Sequence, residues 1–253
     1  MPSCCAPSRS IWRPRWRNDV PWRFGAFPEY VPVAERRAKA LAQARKLEKR
    51  GRKLAPVVLD GKRIASSFWG KAWCGNLESY SDFANRLPRG RTYVRNGSVI
   101  DLRIAEGRVD ALVAGTSLYE VRIEIVKLSK SHAKRLTKQC RGQIDSAVAL
   151  LQGQVPQSLL DAFADRGSGL FPAPKEIDLF CSCPDAAVMC KHVAAVLYGV
   201  GARFDKAPET FFTLRSLKLD DLVAKSVPQR QRRQEIPDSS LESIFGIELD
   251  RRR

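Results

Sequence analysis

Histidine and methionine are scarce in this chain, two of each in 253 residues. Two histidines exclude a His-rich metal site. No apolar run reaches the roughly 18 residues that a membrane span requires, which excludes an integral helical membrane protein. The short motifs of several enzyme classes are also missing. There is no nucleophile elbow, no P-loop and no Gly-rich dinucleotide fingerprint, and Gly70-Lys71 lacks the rest of a Walker motif. The Arg-rich stretch 9–23 is broken by Pro14 and Pro21 and has no apolar centre, so no secretory signal is expected. A reducing, bacterial-type cytoplasm is the expected location, with nucleoid association compatible. Acid is in deficit: 27 Asp and Glu stand against 44 Lys and Arg, a formal net charge of +17. Such a field attracts polyanions and puts nucleic acid first among partners. The hydrophobic fraction, 44%, supplies a sizeable core and argues against wholesale disorder.

The positive charge is uneven. Residues 1–66 hold 16 Lys or Arg and 5 Asp or Glu. The first 33 residues carry Trp12, Trp16, Trp22, Phe24, Phe27 and Tyr30 among prolines and read as extended and irregular. Residues 34–53 read as a basic helix with a thin apolar face of Leu41, Leu47 and Leu54. Residues 66–87 predict an apolar helix that Ser66 or Ser67 caps and Pro88 and Gly90 end. Residues 91–128 predict an antiparallel meander of four short strands. Its turns are Asn96-Gly97, Glu106-Gly107 and Gly115-Thr116, and the first strand contains Tyr93-Val94-Arg95. A helix is expected over 131–152, a shorter one over 157–164, a strand over 176–181 and a helix over 192–199. The expected fold class is α+β, in four segments: a basic N-terminal 1–65, an α+β domain 66–165, a metal-binding finger 166–215 and a helical, basic tail 216–253. The meander is expected to keep its fold when the finger loses its metal.

Seven cysteines, an odd number, fit a secreted disulfide framework poorly. Three fall within ten residues: Cys181-Ser182-Cys183, then Cys190-Lys191-His192. The spacing is C-x-C, six residues, then C-x-H. Residues i and i+2 of an extended chain point the same way, so Cys181 and Cys183 can face one ion. Pro184 turns the chain back, and Cys190 and His192 close the site. Three thiolates and one imidazole suit tetrahedral Zn²⁺ in a closed structural site, which leaves no position for a catalytic water. The competing readings are buried small residues or a disulfide. No Glu is placed beside the ligands as a proton shuttle, and Asp185, after Pro184, reads as a turn residue. No enzymatic activity is expected.

The Cys-Ser-Cys-Pro-Asp and Cys-Lys-His strings within 177–198 resemble the SWIM zinc finger, a ββα element with a C-x-C…C-x-H ligand set. The rest of the chain is similar to bacterial SWIM zinc finger proteins, in which a Phe-Trp-Gly-Lys-Ala-Trp-Cys-type segment, here Phe68 to Cys74, precedes the finger. The resemblance implies zinc binding and contacts with nucleic acid or protein. It also implies an association with a Swi/Snf-type helicase.

Other candidates are weaker. Arg13, Arg15 and Arg17, interleaved with Trp12 and Trp16, suit phosphate contact with base stacking, and equally suit packing onto the domain or a partner. Lys191 either offsets the site's negative charge, meets phosphate, or is solvated. His132 reads as a solvent-facing residue at a helix start, Cys74 and Cys140 as core, and Cys4-Cys5 as part of an irregular terminus. The expected function is a zinc-dependent module that binds nucleic acid, DNA first, as an accessory to a Swi/Snf-type ATPase. The alternative is a zinc-stabilised protein-interaction adaptor.

Overall fold

A computed structural model describes residues 31–224 apart from 62, 81–84, 145 and 186. The expectations for Arg13, Arg15, Arg17, Cys4, Cys5 and the basic tail 229–234 lie outside the described residues.

Among the described residues the helices and strands follow in order. They are α1 (Val33–Lys49), α2 (Phe68–Glu78), α3 (Leu87–Arg95), β1 (Val99–Ala105), β2 (Arg108–Ala114), β3 (Leu118–Ile125), α4 (Lys130–Cys140), α5 (Ala147–Leu151), α6 (Gln157–Ala164), β4 (Ile177–Cys181), α7 (Lys191–Lys206), α8 (Glu209–Leu214) and α9 (Leu219–Ala224). The fold class is α+β. The strands form one antiparallel sheet in the order β1-β2-β3-β4. Alternation along β3 sends Val121, Ile123 and Ile125 inward and Arg122 and Glu124 outward. The inward face carries rungs such as Leu102, Ala111, Val121 and Cys181. α7 lies against this face and also packs on α2, α3 and α8. It is apolar nearly all round, with Val193 to Ala202 buried, as expected of a central helix. On the other face, Ala40 of α1 packs with Ile100, Leu112 and Ala114.

Several expectations need correction. Residues 91–95 are the end of a helix, not a strand, so the meander before residue 128 has three strands. Pro88 opens α3 instead of ending α2, since proline at the first turn loses no hydrogen bond. Gly90 sits where α3 crosses α7, and a Cβ there would stand 2.5 Å from the Cβ of Ala194. Asn96-Gly97 then stops the helix, with Gly97 at φ 67°, the left-handed conformation common after a helix C-cap. The helix expected over 131–152 is two helices. Gly142, at φ 69°, follows the end of α4, and the Ser146 hydroxyl caps α5 by accepting from Ala149 N at 3.1 Å. The helix expected over 192–199 is longer, α7 running from Lys191 to Lys206.

The fourth strand comes from the finger. β4 pairs with β3 from Val121↔Cys181 to Ile125↔Ile177, across a separation of more than 50 residues. Meander and finger therefore share one sheet and one hydrophobic core. Their independence on metal loss does not follow from this architecture.

The Trp-containing segment anchors the helical layer. Trp69 and Trp73 are both 0% exposed. Trp73 Nε1 donates to the Leu197 carbonyl of α7 at 2.8 Å, and Trp69 Nε1 to the carbonyls of Leu150 and Leu151 at 3.2 and 3.1 Å. Both polar handles are satisfied while the rings fill the core. Trp69 packs against Phe163, Phe211 and Phe212, and Trp73 against Phe204.

Asp205, in the last turn of α7, faces the start of α2. It accepts from the Ser67 hydroxyl at 2.6 Å and amide at 3.1 Å, and from the Ser66 hydroxyl at 2.7 Å. Burial works against its charge, but these hydrogen bonds outweigh it and hold the carboxyl below its ordinary range. A carboxyl so depressed stabilises the fold above its unfolded pKa, near 3.9, and that contribution fades as pH falls through the folded value. Asp205→Asn is accordingly expected to lower the melting temperature at pH 7. The difference from the parent should close as the pH drops below about 4. Thermal unfolding at pH 7 and pH 3 checks this, and an equal deficit at both values would contradict it.

Candidate metal centre

The two halves of the cluster are set by different elements. β4 places Cys181 on the core face, opposite Val121. Ser182 extends the ladder by one residue: its amide donates to the Glu120 carbonyl at 2.9 Å, and its hydroxyl accepts from Glu120 N at 2.9 Å. That keeps Cys183 in phase with Cys181. Asp185 then holds the turn, accepting from Ala187 N at 3.2 Å and pairing with Arg86 at 3.5 Å. This is the structural role its position after Pro184 suggests. Cys190 is the N-cap of α7, its sulfur accepting from Val193 N at 3.5 Å. His192 follows in the first turn and is buried.

The ligand atoms of Cys181, Cys183, Cys190 and His192 all lie within 4.8 Å of one another. His192 Nδ1 stands 3.9 Å from the Cys181 sulfur and 3.8 Å from that of Cys190. Sulfur ligands about 2.3 Å from one tetrahedral ion stand about 3.8 Å apart, so the donor set fits such an ion. The three thiols are free of disulfides.

The thiols divide into unlike states. Hydrogen bonding from Cys181, then His192 and the Val193 amide, outweighs burial and holds the Cys190 thiol well below its ordinary range, at about 4. A helix N-terminus favours a thiolate in the same sense. Cys181 is pushed up, first by the Cys190 thiolate it donates to and then by burial. Cys183 is raised, chiefly by burial. A cation bound by all three sulfurs releases the protons that the thiols carry.

The imidazole is held by aromatic rings. Tyr119 stacks on His192 with centroids 4.3 Å apart at 26°, and Tyr93 meets it edge-on at 5.4 Å. His192 Nε2 is buried without a hydrogen-bond partner among the described residues. Gly115 lies against it, where a Cβ would come within 3.1 Å. Tyr93, Gly115 and Tyr119 were not among the site candidates read from sequence. The inward parity of Tyr119 on β3 was the available signal. Lys191, between two ligands, puts its ammonium 5.6 Å from the Tyr93 ring centroid, a cation–π contact at the rim.

The remaining candidates do not join the cluster. Burial raises the Cys74 thiol to about 12, with Glu78 and Asp205 adding to the shift. Burial alone raises Cys140 to about 11. Neither is poised as a nucleophile. His132 is half-buried at the start of α4, with Nε2 against the Ser168 carbonyl.

Residues 166–200 match the SWIM zinc finger family, and the Cys₃His cluster lies inside the matched segment. The chain therefore carries a SWIM zinc finger. It is also 38% identical over 170 residues to a Mycobacterium tuberculosis (strain ATCC 25618 / H37Rv) protein named Uncharacterized protein Rv2102. That similarity spans 66% of this chain and 61% of the relative, less than two thirds of the relative's length. No solved structure matches the chain. No helix among the described residues is long and apolar enough to cross a membrane.

Proposed function

We propose that the chain is a non-enzymatic module, stabilised by Zn²⁺ on Cys181, Cys183, Cys190 and His192, that binds nucleic acid, DNA first, as an accessory to a Swi/Snf-type ATPase. Zinc is favoured over harder ions because three thiolates and an imidazole are its usual structural donors. When bound, it cross-links β4 to α7 and supplies no open coordination position for substrate. The observation that carries the nucleic-acid reading is the net charge of +17 on a chain whose ligand set is closed. The adaptor reading has its own support. Phe180 and Val188, beside the ligands, are 56% and 81% exposed, apolar surface suited to a protein partner.

The two readings separate in a fluorescence anisotropy titration with duplex DNA over a salt series. Nucleic-acid binding is expected to be strongly salt-dependent and weakly sequence-selective. Engaging about five phosphates would cost roughly two to three decades of affinity between 50 and 200 mM salt. Deleting residues 1–33, and with them Arg9, Arg13, Arg15, Arg17 and Arg23, is expected to flatten the slope without changing the metal content. Absence of binding by the intact chain at low salt would move the assignment to the adaptor.

A further inference from the structure

The stretch 125–144 holds Lys127, Lys130, Lys134, Arg135, Lys138 and Arg141 and not one acid. Within it, α4 buries Leu136 and Cys140. At 100° per residue, Lys130, Lys134, Lys138 and Arg141 fall within an arc of about 80° on another side of the helix. They follow one another at roughly 6 Å intervals or less and span about 16 Å. None of the four forms an ion pair among the described residues, whereas Arg135 turns away to the Ser168 carbonyl. Across a groove of about 590 Å³ stands Lys218, which also has no ion pair among the described residues. Leu128, Leu217 and Leu222 line the same groove, and Asp221 is the acid on its far wall.

A merely solvated helix face usually interleaves acids four residues from its bases, because such pairs stabilise the helix. Here Lys130/Lys134 and Lys134/Lys138 are like-charge pairs at that spacing, which destabilises the helix. The stripe disfavours its own helix until an anion meets it. The apolar lining gives the lysine stems a surface to lie on while the ammonium groups stay in water. A regular row of cations fits a polymer with regularly spaced negative charge. Its length matches roughly five nucleotides of one strand, at 3.4 Å each.

We infer that the α4 face, through Lys134, Lys138 and Arg141 with Lys130 and Lys218 beside them, is a phosphate-backbone docking surface for nucleic acid. The inference rests on the nucleic-acid reading above and assigns the contact to a surface that the finger does not contribute.

The test uses the full chain with metal bound and a fluorescein-labelled 20-base-pair DNA of arbitrary sequence, over 50–300 mM salt. The variant is Lys134→Gln/Lys138→Gln/Arg141→Gln. The control, Arg45→Gln/Lys46→Gln/Lys49→Gln, removes the same charge from exposed positions of α1. Metal content and melting temperature establish that both are folded. The α4 variant is expected to flatten the salt slope by about 2 to 3 and to lose roughly a hundredfold in affinity at 0.1 M salt. The control should lose much less. Equal losses in the two variants would reduce the effect to net charge and overturn the assignment. So would full affinity in the α4 variant, as expected if the groove receives an acidic peptide instead. Failure of the parent chain to bind DNA at low salt would instead sink the underlying functional reading.

Discussion

Replacing Cys190 by Ser is expected to destabilise the sheet and the central helix together, not the finger alone. The residue joins both halves of the cluster: its sulfur caps α7 and faces His192 across from Cys181. β4, held at one end by Cys181, is paired along its length with β3, and α7 covers the inner face of all four strands. A metal present at a thousandfold its dissociation constant contributes about 4.1 kcal/mol to the folded state. Chelation removes that contribution from the parent and nothing from a variant that no longer binds. The parent's urea midpoint should therefore drop on adding a chelator, toward that of Cys190→Ser, while the variant's stays put. Hydrogen exchange should accelerate at Val121, Ile123 and Val196 as one group. Exchange confined to residues 181–192 would show that the meander holds its fold without the finger.

The second large effect is expected at Trp73. Its ring is fully buried against Phe204, and its indole N–H is used at 2.8 Å by the Leu197 carbonyl. Trp73→Ala removes the largest bridge between α2 and α7 and should cost about 3–5 kcal/mol. Trp73→Phe keeps most of the apolar volume and loses the hydrogen bond, so about 1–2 kcal/mol is expected. Both numbers are read from urea unfolding with metal present. An alanine variant within 1 kcal/mol of the parent would mean that α2 is not a fixed part of the core. Metal stoichiometry should remain unchanged in the phenylalanine variant, since Trp73 touches no ligand.

The Cys₃His cluster was legible because C-x-C and C-x-H are local patterns that bring their side chains together by spacing alone. Cys181 and Cys183 share a face because β strands alternate, and His192 lies in the first turn of a helix that Cys190 caps. The partner of β4 was not legible. β3 and β4 meet across more than 50 residues, and nothing in either strand names the other. The Asn96-Gly97 pair shows a different limit. A glycine at positive φ ends a helix as readily as it turns a hairpin, and packing of Gly90 on Ala194 decided for the helix. The break between α4 and α5 had its signals, Gly142 and Ser146, inside an otherwise helical apolar pattern. The stacking of Tyr119 and Tyr93 on His192 depends on tertiary placement that periodicity does not carry.

The Cys₃His assignment is tested most directly by X-ray absorption at the zinc edge on the purified, reduced protein, together with metal analysis. One zinc per chain is expected. Its shell should comprise three sulfurs near 2.3 Å and one nitrogen near 2.0–2.1 Å. Cys183→Ser should abolish that signature or replace one sulfur by a lighter atom. Metal-free protein from zinc-replete expression, or a shell without sulfur, would contradict the account.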